Sequence, residues 1–210
     1  MTKPTKPSIS ARKRPSQARS TEIVETILEA ALRVLNRDGS AKLTTVRVAE
    51  EAGVSVGSLY QYFPNKVALL FRLQADEWQD TWQLVEEILS DEAQSPRERL
   101  ERAVVTFFRS EKQERAIRAA LDDAGAPYND SPEAAALEAR ANDSVARFVV
   151  RLAPHLPEND RPFVARFFMT TMGALAEEIT TGEIDRTELD AWARECAAML
   201  TSWLDARGKS

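Results

Sequence analysis

The sequence predicts an all-α protein of about nine helices, with a three-helix N-terminal domain followed by a larger helical C-terminal domain. Three observations predict it. Apolar residues return at spacings of three and four along nearly the whole chain, which is the period of a helix with one buried face. Only seven glycines occur in 210 residues, and no long stretch alternates apolar and polar side chains as a half-buried strand would. Helix starts are written in Ser-Pro pairs, at Ser95-Pro96 with Glu98 and at Ser131-Pro132, where proline occupies a position whose N–H has no helical partner.

The elements follow in order. From about Ser20 to Arg37, Ile23, Ile27, Ala30, Ala31, Val34 and Leu35 form one stripe, and Gly39 stands at the C-terminal cap position. Thr45 to Ala52 reads as a short helix stopped by Gly53, and Ser55 offers a side-chain oxygen to cap the next. A long helix runs from about Asn65 to Leu89. One helix opens at Pro96 and carries Leu100 and Val104, and a separate short helix is expected near Glu114 to Ala124. The helix after Pro132 carries Leu137, Ala141 and Val145 and ends at Pro154. The last two span about Asp160 to Thr180 and Thr187 to Ala206, the second opened by an Asp185/Glu188 capping box. The first of this pair is apolar on two faces, so it needs two partners.

Composition narrows the function classes. With 43% hydrophobic and 29% charged residues the chain suits a single globular unit or a small module on a larger one. No run reaches the roughly 18 apolar residues of a membrane span, so a cytoplasmic location without membrane contact is expected. One cysteine, Cys196, excludes an internal disulfide framework. One histidine, His155, together with the lack of Glu-x-x-His motifs, argues against a metal site, a catalytic triad or a di-iron bundle, so no cofactor and no enzymatic activity are expected. The net charge of −5 is unevenly spread: residues 1–70 hold eleven Lys and Arg against six acids, and residues 71–210 hold seventeen against twenty-seven. Residues 1–19 carry basic residues and no acid among prolines and serines, and read as a disordered basic arm.

Residues 45–62 satisfy the requirements of a helix-turn-helix, which needs a small residue where two short helices touch, a glycine turn and apolar locking positions. Val48, Ala49, Ala52, Gly53, Val54, Leu59 and Tyr62 fill those slots. Ser55, Val56, Gly57, Ser58 and Gln61 are then left on the open side of the third helix, and their small size lets the backbone approach a major groove. Arg47 on the second helix is either a phosphate or base-edge contact or part of a solvated face.

At these residues the chain resembles the tetracycline-repressor (TetR) family of bacterial regulators. The likeness spans about residues 20 to 73 and centres on LTTVRVAEEAGVSVGSLYQYFPNKVALL. The resemblance implies a homodimer whose subunits each carry a DNA-binding domain (residues 20–66) and a ligand-binding and dimerisation domain (residues 67–210). It implies repression from a palindromic double-stranded operator until a small molecule fills the larger domain. It places Thr45, Tyr62 and Lys66 among phosphate contacts and Val56, Gly57, Ser58, Tyr60 and Gln61 among recognition contacts.

In the larger domain, Trp78, Trp82, Phe107, Phe108, Phe148 and Phe167, with Phe168, Met169 and Met172, either line a cavity for a largely apolar effector or form ordinary core. The expected dimer face draws Val164, Phe168, Gly173, Leu175 and Ile179 from one helix and Trp192, Cys196, Met199 and Trp203 from the last. The alternatives are an architectural DNA-binding protein and a regulator controlled by a protein partner, neither with a small-molecule inducer.

Overall fold

The computed structural model describes residues 18–124 and 132–207. The arm expected over residues 1–19 lies outside the described residues up to position 17, as does Ser131, and Ala18 and Arg19 already belong to the first helix. Among the described residues there are eight α-helices and no strand: α1 Ala18–Asp38, α2 Thr45–Ala52, α3 Val56–Tyr62, α4 Lys66–Ser90, α5 Pro96–Asp123, α6 Pro132–Leu152, α7 Arg161–Thr180 and α8 Arg186–Arg207. Short 3-10 turns occupy Ser40–Lys42 and Glu158–Asp160.

The expected total of nine helices is corrected to eight because the segment near Glu114 to Ala124 continues α5. No glycine or proline interrupts residues 97–123, so nothing local stops the helix. Its polar stretch turns Ser110, Glu111 and Glu114 inward, where Thr81 and Ser110 hydroxyls lie 2.5 Å apart and Ser110 donates to Glu114.

Helix ends follow from local chemistry. Gly53 (φ 67°) takes the left-handed conformation that terminates α2, and Gly39 (φ 79°), just past the end of α1, takes a positive φ with an extended ψ of 172°. A Cβ on Gly53 would meet nothing within 4 Å, so the demand for glycine there is conformational and not steric. Ser95 and Glu98 form a reciprocal capping box: the Glu98 N–H donates to Ser95 Oγ and the Ser95 N–H to Glu98 Oε2. Asp185 accepts from the Glu188 N–H at 2.9 Å at the start of α8.

The chain divides into two compact units, residues up to 76 with 116–131, and residues 77–115 with 132 onward. In the first, α1 buries Ile27, Ala30, Ala31 and Val34 completely, and α2 and α3 add Val48, Ala49 and Leu59. Arg37 and Arg33 donate to Glu51, tying the outer faces of α1 and α2. The end of α5 belongs to this unit, burying Ile117 and Leu121, and Ser40 donates to Asp123 at 2.9 Å.

The second unit packs one core from α4, α5, α6, α7 and α8, with Val104, Phe108, Val149, Val164, Phe168 and Leu200 at 0% exposure. The start of α7 lies against the end of α8, where Phe167 stacks on Trp203 with centroids 4.2 Å apart and Arg207 lies 5.5 Å over Phe163. Arg109 on α5 grips Asp190 on α8 through two bonds of 2.8 and 2.6 Å. The hydrogen bonds from Arg109 hold the Asp190 carboxyl below the usual carboxylate range, against an opposing push from burial. A depressed carboxylate contributes stability above its unfolded pKa and loses it as pH falls through the folded value. Asp190→Asn is expected to cost about 1 kcal/mol at pH 7, after discount for solvent screening of the partly exposed guanidinium. Thermal melts should show the difference from wild type shrinking as pH falls below the carboxylate range; a difference that grows there would refute the assignment.

Candidate nucleic-acid interface

The interface is built on two short helices that the rest of the first unit holds in place. Thr44 caps α2 by accepting from the Arg47 N–H at 3.2 Å, and Val48 and Ala49 turn inward. After Gly53, Ser55 caps α3 by accepting from the Ser58 N–H at 3.0 Å, and its hydroxyl lies 2.8 Å from that of Ser58. A helix of seven residues is too short to persist alone. Leu59, Tyr62 and the following Phe63, all buried, anchor it.

With those side chains inward, the opposite face of α3 is open. Ser55, Gly57, Tyr60 and Gln61 are exposed, and Val56 and Ser58 are half-buried. Tyr60 is 42% exposed, and its phenolic oxygen lies 3.0 Å from Thr45 Oγ1. That bond joins the first turn of α2 to α3 and presents two hydroxyls as one polar group. Lys66 and Thr45 are half-buried, and Lys66 is the first residue of α4, whose start is capped by Asn65 accepting from the Ala68 N–H at 2.8 Å. Arg47 is exposed and 3.6 Å from Asp38, so its guanidinium is tethered to the end of α1. Tyr62 is only 6% exposed, which makes it a packing residue with little surface for a phosphate. Sequence reasoning overlooked Thr44, whose Thr-Thr pair ahead of an apolar run was the available cap signal, and Val46, which is 47% exposed beside Arg47.

In the second unit, an apolar cavity of about 20 Å³ is lined by Trp82, Phe107, Phe148, Phe168 and Met172 among others. Trp78, Phe108, Phe167 and Met169 are not among its walls: Phe108 is fully buried in the core, and Phe167 stacks on Trp203. The expected dimer face needs a larger correction. Val164, Phe168 and Cys196 are 0, 0 and 2% exposed inside their own unit, so no partner can reach them. Burial also pushes the Cys196 thiol up to about 11, leaving it protonated and unreactive at neutral pH. Gly173, Leu175, Ile179 and Trp203 are half-buried, and Trp192 and Met199 are 44% and 49% exposed. Phe163, on the outer stripe of α7, is 48% exposed as well.

A three-helix head with a capped, outward-facing second helix of a helix-turn-helix, joined to a helical body, defines a DNA-binding transcription regulator. Residues 27–73 match the family described as bacterial regulatory proteins, tetR family, and residues 95–204 match the tetracyclin repressor-like C-terminal domain. The chain belongs to the TetR family. Among curated proteins it is 43% identical over 53 residues to the transcriptional repressor KstR of Rhodococcus jostii, 25% of each chain. It is 44% identical over 46 residues to the nucleoid occlusion factor SlmA of Actinobacillus pleuropneumoniae, 21% of this chain and 23% of that one. These matches span about a quarter of the relatives' length. The fold is shared with the fatty acid degradation regulator FadR of Bacillus halodurans (TM-score 0.65, 15% identity, covering 90% of this chain and 96% of that one). It is shared too with SmeT, the repressor of a Stenotrophomonas maltophilia multidrug efflux pump (TM-score 0.62, 19% identity, covering 86% and 89%).

Proposed function

We propose that the protein is a cytoplasmic, ligand-responsive repressor that binds a palindromic operator as a homodimer and leaves it when a small, largely apolar molecule enters the second unit. The observation that carries this reading is the open face of α3, with Ser55, Gly57, Tyr60 and Gln61 outward and Leu59 and Tyr62 locked inward. Small residues let the helix sit deep in a major groove, Gln61 can reach a base edge, and the Thr45–Tyr60 pair and Lys66 suit phosphate oxygens. One subunit carries one recognition helix, so a two-fold pair with half-site centres about 10 bp or a larger spacing apart is required for a palindrome. Trp192, Met199 and Phe163 are the exposed apolar side chains of α7 and α8 that support such a pairing. In α4 a single helix begins at Lys66 and continues to Trp82 and Leu89 at the cavity wall, which supports it as the element that carries the signal. Helix α4 is not apolar enough to cross a membrane, and neither is any other helix among the described residues.

The test is binding to duplexes selected from a random pool by the wild-type protein. Lys66→Ala is expected to weaken binding to every sequence and lower the salt slope by about one unit. Ser58→Ala is expected to act mainly on the selected site. Wild-type affinity and salt dependence in both variants would remove the proposed surface. A wild-type protein that binds selected and scrambled duplexes equally at one salt concentration would be an architectural protein instead.

A further inference from the structure

We infer that the seam between α4 and α6 is the effector site for an amphipathic anion, a molecule with an apolar chain and a carboxylate or phosphate end. The inference rests on the ligand-responsive reading above and names the chemistry of its ligand. Two open grooves run along this seam, of about 290 Å³ and 190 Å³, and Glu86 lines both. On α6 the spacing of Arg140, Ser144, Arg147 and Arg151 puts them on one helical face, and on α4 Gln79, Gln83, Glu86 and Ser90 share a face in the same way. The grooves are lined by these two rows.

Behind the polar rows lies the apolar cavity. Leu89 and Phe148 are walls of both that cavity and the larger groove, and Trp82 is a wall of both the cavity and the smaller one. A void of about 20 Å³ holds no ligand as it stands, and its lining is apolar, so it stays dry until an apolar chain displaces the partition. The side chains that line both groove and cavity are Leu89, Phe148 and Trp82. Movement of the Phe148 ring is what would join groove to cavity.

Positive charge stands close to that ring. Arg147 and Arg151 line the groove beside Phe148, and the Arg99 guanidinium lies 5.6 Å from its centroid. Arg99 is 5% exposed, donates once to the Leu89 carbonyl, leaves Nε without a hydrogen-bond partner, and has no carboxylate partner among the described residues. Arg99 lines neither groove, so the guanidinium donors that an anion in the larger groove meets directly are Arg147 and Arg151, with the Arg99 charge behind them. The opposing acids are few. Glu86 accepts from Ser144 and is 3.9 Å from Arg147, and Glu92 is 3.3 Å from Arg151 across an exposed contact. Arg140 has no ion pair among the described residues. An anionic end therefore meets guanidinium donors, while an alkyl chain continues past Phe148 toward Trp82 and Met172.

Calorimetry with the full-length protein tests this using dodecanoate, dodecanoyl-coenzyme A, dodecanol and dodecyltrimethylammonium below their micellar concentrations. The anions are expected to bind at least about tenfold tighter than the alcohol, the size of one charge-assisted hydrogen bond, and the cation not at all. Whether the free acid or the thioester binds better distinguishes a carboxylate source from a phosphate-bearing carrier. The Arg147→Gln/Arg151→Gln variant should lose that preference while keeping wild-type melting and wild-type operator affinity without ligand. Equal affinity for anion and alcohol, preference for the cation, or no binding of any probe would overturn the inference. Operator binding is read separately. Anion binding that leaves operator affinity unchanged would support the site and count against ligand-driven release.

Discussion

Replacing Trp192 and Met199 together by glutamate is expected to yield a folded monomer whose operator affinity is at least about a hundredfold below wild type. Both side chains are nearly half exposed in the subunit, so two carboxylates placed there remain hydrated and cost the fold little. A two-fold interface uses the same patch on both subunits, so a pairing through these residues would bury four added carboxylates in one interface. Loss of pairing leaves one recognition helix per molecule. The second half-site then no longer binds at the effective concentration set by the first, a contribution of roughly 10²-fold or more. Sedimentation together with titration of the selected operator checks the result. A double variant that stays dimeric and keeps its affinity would move the interface elsewhere on the subunit.

Local rules account for what sequence reasoning reads well. The head is legible because its signals are short-range: Gly39 and Gly53 at positive φ, Ser55 as a cap, and a 3.6-residue period that turns Ile27, Val48 and Leu59 inward. The body is less legible for a definite reason. Helix α7 is apolar on two faces, and periodicity identifies two stripes without saying which one meets the subunit's own core. Val164 and Phe168 belong to the inner stripe, and Phe163 to the outer. The same limit applies to the cavity. Aromatic spacing marks Trp82 and Phe167 equally, yet one borders the void and the other stacks on Trp203, a distinction made by long-range packing. The continuation of α5 through residues 114–123 is missed because a polar stretch looks like an interruption when its partners, such as Thr81, are 29 positions away. The arginine row on α6, at a spacing of seven and four, carries no signal in the sequence that sets it apart from a solvated face, and only the facing row of α4 shows that it borders a groove.

Leu59→Ala is expected to remove operator binding while the second unit remains native. Leu59 is fully buried and sits at the middle of a helix of only seven residues. Truncating a buried leucine to alanine costs about 2–5 kcal/mol, and α3 has no length of its own to offset that. Its other anchors, the Ser55 cap and the inward Tyr62, hold the two ends but not the centre. The binding-competent population of α3 therefore falls, and apparent affinity falls in proportion to it. A decrease of at least about tenfold follows if only 1.4 kcal/mol of the loss is felt by α3. The chain offers an internal control, since all four tryptophans, at positions 78, 82, 192 and 203, lie in the second unit. Unchanged tryptophan emission with lost operator binding is the expected pair of results. Emission that shifts together with the loss would mean that Leu59 supports the whole molecule and not the recognition helix, and retained affinity would mean that α3 is held by contacts other than those described.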